Sequence, residues 1–256
     1  MSGTKDGRRC VALLLAGGMG SRLGSKIPKQ FISAYGKPVI AYCLETIRKH
    51  PQVDGIWVVA RKEWRDLIAD YARDKLIGFS EPGETRQLSI WNGLRDMKER
   101  IGKDLCDGEE DLVRKDLCDG AEGLVVLIHD AARPRVTTDT LTACIEGCEE
   151  HDGVMPALPM KDTVYYCAGE KVESLLDRSR VMAGQAPEAF RFEAYYEANR
   201  RLLPDEIRKV NGSSEPAVMA GMDVAVIPGD EGNFKITTSA DLIRFLEILE
   251  EGARRK

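Results

Sequence analysis

The sequence contains no apolar run near the roughly 18 residues that a membrane-spanning helix requires. Its longest runs, residues 11–16 and 124–128, are the size of buried strands. Arg8 and Arg9 give the first run some likeness to a secretory signal, but it is short and passes into Gly17 and Gly18 without an A-x-A cleavage pattern. It reads as a strand. Positive charge is not in excess either: 37 Lys and Arg stand against 42 Asp and Glu, a formal net charge of −5. That balance disfavours a nonspecific nucleic-acid or membrane-surface binder and makes any basic site local. The 7 cysteines are an odd number, and only Cys144 and Cys148 stand one helical turn apart. Neither a disulfide framework nor a zinc site is expected, and reduced thiols point to a cytoplasmic protein.

Two nucleotide-binding signatures are missing as well. No G-x-x-x-x-G-K-[ST] loop occurs, and the dinucleotide fingerprint fails because Leu23 stands where its third Gly or Ala belongs. A redox enzyme is therefore disfavoured. What is present is ordinary globular chemistry, 43% hydrophobic and 31% charged, in a length of 256 residues that suits one α/β domain over 1–256. Continuous Val, Ile and Leu runs at 11–15, 55–60, 124–128, 153–157 and 223–227 read as strands of a mostly parallel sheet. Helical spacing of apolar residues predicts flanking helices at 39–49, 63–74, 86–100, 138–150, 192–203 and 239–251, the last with Ser239 as N-cap. Two segments interrupt this alternation. A twelve-residue tandem duplication, KDLCDGEEDLV then KDLCDGAEGLV, makes 103–125 an acidic insertion expected on the surface. Residues 163–176, with VYYC and VESLL around AGEK, predict a protruding β-hairpin arm.

The first strand runs into Ala16-Gly17-Gly18-Met19-Gly20-Ser21-Arg22, followed by Pro28-Lys29-Gln30. Glycines let backbone N–H groups approach an anion, and Arg22 and Lys29 add charge for a polyphosphate. The 124–128 strand ends in His129-Asp130-Ala131-Ala132-Arg133, which places an acid and a guanidinium where open α/β sheets bind ligands. Asp130 there could hold a divalent cation with the phosphates, and Arg133 could pair with a phosphate. His129 reads as a packed imidazole. Lys235, with Thr237 and Thr238 after a Gly turn, adds a third basic element.

Taken in order, AGGMGSRLGSKIPKQF, ETRQLSIWNGL, VLIHDAARP, LPMKDTV, LLDRSRVMAGQAPEAF and NFKITTSADL resemble the 2-C-methyl-D-erythritol 4-phosphate cytidylyltransferases and their relatives, the ribitol-5-phosphate cytidylyltransferases. The resemblance spans roughly residues 11–246, with the duplication unmatched. It implies a Rossmann-like nucleotidyltransferase fold and a Mg²⁺-dependent homodimer that moves CMP from CTP to a polyol phosphate and releases pyrophosphate. Methylerythritol phosphate, the isoprenoid precursor, is the first acceptor and ribitol phosphate the alternative. By the same resemblance Ala16, Gly17, Gly18, Gly20, Arg22 and Lys29 fall on the CTP phosphates, and Gly83 and Ser89 on cytosine. Asp130 falls beside phosphates and metal. Thr163, Arg133 and Lys235 fall on the acceptor, together with Arg178 from a neighbouring subunit's arm.

The chain departs from the family pattern at four places. Pro82 replaces a Gly, Tyr165 replaces a Lys, and Ala186-Pro187-Glu188 replaces Thr-Pro-Gln. Ser213-Ser214-Glu215-Pro216-Ala217 stands for Thr-Asp-Asp/Glu-Ala-Ser near the acceptor. A regulatory nucleotide binder without turnover is the competing class. Arg22, Lys29, Asp130 and Lys235 argue against it, since a mere binder need not hold both halves of a transfer site.

Overall fold

A computed structural model describes residues 8–18, 27–107 and 123–254, with 101–107 as backbone only. The strands are β1 (Cys10–Leu15), β2 (Ser33–Ala34), β3 (Lys37–Pro38), β4 (Gly55–Val59), β5 (Leu76–Ser80), β6 (Val125–Asp130), β7 (Gly153–Pro159), β8 (Tyr165–Ala168), β9 (Lys171–Leu175), β10 (Met182–Gly184), β11 (Glu188–Arg191) and β12 (Val224–Pro228). The α-helices are α1 (Val39–Lys49), α2 (Arg65–Ala72), α3 (Arg86–Asp107), α4 (Thr138–Gly147), α5 (Phe192–Arg200), α6 (Glu215–Met219) and α7 (Ser239–Arg254).

Eight strands form the central sheet. β5, β4, β1 and β6 run parallel in that order, β11 joins β6 antiparallel, and β7 lies between β11 with β10 on one side and parallel β12 on the other. β1 is buried because both its faces are covered. Ala12 and Leu14 pack with Ile40, Leu44 and Ile47 of α1 and with Leu141 and Ile145 of α4. Val11 and Leu13, pointing the other way, pack with Ile90 and Leu94 of α3 and Tyr195 of α5. This two-layer burial explains the uninterrupted apolar runs. α7 closes a third cluster by setting Phe245 beside Ala34, Val39 and Ile236, with Leu242, Leu246 and Leu249 around it.

Several expectations are corrected in detail. The cap of α7 is Thr238, not Ser239: Thr238 Oγ1 accepts from Asp241 N (3.3 Å) while Asp241 Oδ2 accepts from Thr238 N (2.7 Å). Such a reciprocal box satisfies two otherwise orphaned N–H groups, and Ser239 becomes the first helical residue. The 63–74 helix is shorter, since short 3₁₀ turns at Lys62–Trp64 and Arg73–Lys75 bracket α2. The helix expected over 86–100 instead continues to Asp107, so the acidic insertion begins inside α3, while Val125, at its other end, is already buried in β6. Residues 108–122 of the insertion lie outside the described residues. The hairpin forms as expected, β8 antiparallel to β9, and every residue of both strands is exposed.

Candidate functional site

The carboxyl ends of β1, β4, β5 and β6 open on a cavity of about 650 Å³ lined by Gly17, Lys29, Gly83, Arg86, Asp130 and Lys235 among others. Ligands of open α/β sheets bind at this edge, because loops there are free of the helix packing that covers the faces. The glycine loop leaves β1 through Ala16, whose N–H donates to Val59 O (2.9 Å). Gln30 then holds the loop, its Nε2 donating to Ala16 O (2.7 Å) and Gly18 O (2.8 Å). A Cβ on Gly17 would stand 2.5 Å from Pro82 Cβ and Cγ, so Pro82, one of the departures from the family pattern, packs where only glycine fits. Gly20 and Arg22 lie outside the described residues. Lys29 begins the 3₁₀ turn Lys29–Phe31 and faces the cavity.

Gly83 and Ser89 meet as one unit. Gly83 N donates to Ser89 Oγ (3.0 Å), and Ser89 Oγ donates to Thr85 O (2.9 Å). A Cβ on Gly83 would come within 2.5 Å of Leu88 Cβ and 2.7 Å of its carbonyl carbon. The tight approach of loop and first turn of α3 thus requires glycine, and it sets backbone polar groups along the cavity wall.

Asp130 is the electrostatic centre. It is 8% exposed, yet Arg86 donates to its Oδ1 through Nε (3.2 Å) and Nη2 (3.1 Å), Lys235 Nζ reaches Oδ2 at 2.9 Å, and Arg133 Nε stands 3.7 Å from Oδ2. Burial pushes the carboxyl upward, but Arg86, Lys235 and Arg133 together outweigh burial and hold it well below the usual carboxylate range. It remains ionised at any working pH. Arg86 was not singled out from sequence. Its partner is 44 positions away, and the motif that carries it, ETRQLSIWNGL, shows only that it opens a helix.

Arg133 sits behind this centre. Its Nη1 donates to Asn233 O (2.7 Å), bracing the turn that presents Lys235, and its side chain is only 12% exposed. His129 is fully buried, and burial lowers it to about 4 against the opposing bond to Arg133 O. That carbonyl accepts from Nε2 at 3.0 Å, so the ring is a neutral packed imidazole, as expected. Glu188 and Ser213 lie next to Arg86. Ser213 Oγ accepts from Arg86 Nη1 (2.7 Å) and donates to Glu188 Oε1, whose carboxyl burial pushes up while Ser213 and Arg86 oppose.

Thr163 and Arg178 are elsewhere. Both are exposed, neither lines the cavity, and Arg178 Nη1 donates to Lys161 O (2.7 Å) at the foot of the hairpin. Among the described residues, no cluster of three or more His, Cys, Asp or Glu could cage a metal. Asp130 beside the glycine loop, with Glu81 and Glu84 also on the cavity wall, is a sparse set of oxygen donors, the kind that an ion arriving on phosphates and keeping most of its water needs, the habit of Mg²⁺. Among the described residues no helix is long and apolar enough to cross a membrane.

Comparison with known proteins bears on this geometry. The family model described as 2-C-methyl-D-erythritol 4-phosphate cytidylyltransferase matches residues 10–251. The chain is 37% identical over 250 residues to the 2-C-methyl-D-erythritol 4-phosphate cytidylyltransferase of Rubrobacter xylanophilus, with 96% of each covered. It is 28% identical over 248 residues to a ribitol-5-phosphate cytidylyltransferase of Lacticaseibacillus paracasei, covering 94% of this chain and 98% of that one. Among solved structures, 4-diphosphocytidyl-2C-methyl-D-erythritol synthase of Anaerococcus prevotii superposes with a TM-score of 0.75 at 25% identity, covering 96% and 97% of the two chains.

Proposed function

The chain belongs to the 2-C-methyl-D-erythritol 4-phosphate cytidylyltransferase family, and from that premise we infer how its cavity performs the reaction. The enzyme transfers CMP from CTP to 2-C-methyl-D-erythritol 4-phosphate and releases pyrophosphate. An acceptor phosphate oxygen forms a bond to the α-phosphorus, and the bond from that phosphorus to the β-phosphate oxygen breaks. Two anions must meet, so positioning and cations dominate and no covalent enzyme intermediate is needed. The observation that carries this reading is the convergence of Lys29, Arg86 and Lys235 with one ionised carboxylate, Asp130, at the mouth of a glycine loop.

Gly17 and Gly18, held in place by the bonds of Ala16 to Val59 and Gln30, offer backbone N–H groups to the CTP phosphates, and the family resemblance assigns Gly20 and Arg22 to the same phosphates. Lys29 and Arg22 take the charge that develops around the α-phosphate and the leaving pyrophosphate. The Gly83–Ser89 unit reads cytosine. Asp130 would hold Mg²⁺, which neutralises phosphate charge when bound. Lys235 grips the acceptor phosphate, while Arg133 supports it from behind by holding the Asn233 turn. The exposed arm, with Tyr166, Val172 and Leu175 in the open, supports a twofold homodimer, because a lone two-stranded hairpin is marginal in water. Arg178 then serves the neighbour's cavity. Buried free thiols at Cys10, Cys43, Cys144 and Cys148 support a cytoplasmic, reducing setting.

Pyrophosphate release with CTP and Mg²⁺, measured separately on methylerythritol, ribitol and erythritol phosphates, tests the acceptor. Methylerythritol phosphate is expected to give the highest kcat/KM. The Ser213–Ala217 departure and the ribitol-5-phosphate relative make ribitol phosphate the second reading, and its preference would replace the first.

A further inference from the structure

Two of the departures from the family pattern meet in space. Glu188, where the pattern has Gln, and Ser213, where it has Thr, are 25 positions apart, and the Ser213 hydroxyl donates to Glu188 Oε1. A hydroxyl has one proton to give. With that proton committed to Glu188, a lone pair faces Arg86, and Arg86 Nη1 donates to it at 2.7 Å. The two remaining edges of the same guanidinium, Nε and Nη2, hold Asp130 Oδ1 at 3.2 and 3.1 Å. The chain Glu188–Ser213–Arg86–Asp130 thus runs from β11, at the back of the site, to the cavity. The loop carrying Ser213 is itself pinned, since Tyr195 Oη donates to Ser213 O at 2.7 Å. Glu188 is 7% exposed and does not line the cavity, and its Oε2 has no hydrogen-bond partner within the described structure. Beside Ser213 it faces Arg86, Arg133 and Asp130. A buried carboxyl is costly, and a packed apolar side chain in its place would usually serve stability as well.

We propose that Glu188 is a positioning residue for cytidylyl transfer: through Ser213 it fixes the fork of Arg86 on one oxygen of Asp130, leaving the other oxygen to Lys235. Its function is that of an acceptor for the Ser213 proton, which a Gln carbonyl also supplies. Its loss lets the guanidinium swing, and displacement of a reacting constellation by about 1 Å can cost ~10²-fold in rate. The proposal rests on the cytidylyl-transfer reading. If that reading fails, the wild-type enzyme releases no pyrophosphate with any polyol phosphate; if only this inference fails, the wild type turns over and the variants match it.

The test is steady-state kinetics on Glu188→Leu, Glu188→Gln, Ser213→Ala and Ser213→Thr, with the melting temperature of each. Glu188→Leu and Ser213→Ala should lower kcat about tenfold or more with KM for CTP within about twofold, the pattern of lost transition-state positioning. Glu188→Gln and Ser213→Thr, which keep the acceptor and the hydroxyl, should stay within about threefold of wild type, and the Leu/Ala double variant should be no slower than the poorer single one. Should Glu188→Leu fail to fold, Ser213→Ala decides. Wild-type kcat in Ser213→Ala, equal damage from Glu188→Gln and Glu188→Leu, or a loss confined to KM would each overturn the proposal.

Discussion

Lys29 enters the cavity from a short 3₁₀ turn whose next residue, Gln30, is bonded to the glycine loop, so its ammonium is placed by the same contacts that shape the loop. If that charge acts where charge grows in the transition state, Lys29→Ala should lower kcat by about 10²-fold while CTP binding suffers less. A variant that only raised KM would move Lys29 to ground-state binding. Gly83→Ala should be as damaging for a different reason. Its Cβ has no room beside Leu88, so the Gly83–Ser89 wall must open, and preference for CTP over ATP should fall along with activity. Comparable turnover of CTP and ATP by the wild type would refute cytosine reading at that wall. Asp130 and Lys235 were legible as site residues because each sits in a short motif at a strand end or Gly turn. Arg86, Glu188 and Ser213 were not legible as a network. Their contacts span 44, 127 and 25 positions, and nothing local marks a side chain whose partner is made by folding.

At the scale of elements, the capping box at the start of α7 links stability to the cavity. Asp241 Oδ2 accepts from both Thr237 N (2.9 Å) and Thr238 N (2.7 Å), and these bonds outweigh burial to lower its carboxyl to about 2. Asp241→Ala should therefore cost about 1 kcal/mol, read as a lower urea midpoint at unchanged m, and should loosen the Lys235 turn two residues upstream. Double burial made β1, β4 and β6 readable from their apolar runs. β5 was not readable: its first four residues are only half-buried and Gly78 interrupts them, because the Trp57 ring occupies the space its Cβ would need, 2.4 Å away. β10 and β11 are short antiparallel pieces on either side of Gln185–Pro187, and neither is long enough to show a period. The overlong α3 escaped notice because its final turns consist of the duplicated acidic sequence, whose composition reads as surface loop.

The whole molecule should be acid-sensitive in two steps. His129 carries a folded value of about 4 against an ordinary 6.5, so as pH falls through that interval the unfolded chain binds a proton that the folded chain refuses. Stability then declines by as much as about 3 kcal/mol, and below it Asp130, depressed when folded, withdraws its own contribution as pH falls through the carboxylate range. Urea unfolding at pH 7 and pH 4.5 measures the first step, and His129→Gln should reduce it, leaving the part due to His50, which burial also lowers. The assembly makes a sharper demand. If the arm of one protomer brings Arg178 to its partner's cavity, Lys29→Ala and Arg178→Ala homodimers should each be poor enzymes. A mixed dimer, however, holds one site that combines an intact Lys29 with an intact Arg178. Random re-association of equal amounts makes about half the dimers mixed, each with one good site of two, so about a quarter of wild-type activity should return. Recovery must track subunit exchange, followed by mass labelling of one variant. If the subunits exchange and no activity returns, Arg178 acts within its own chain or takes no part in catalysis, and the arm does not complete the partner's cavity.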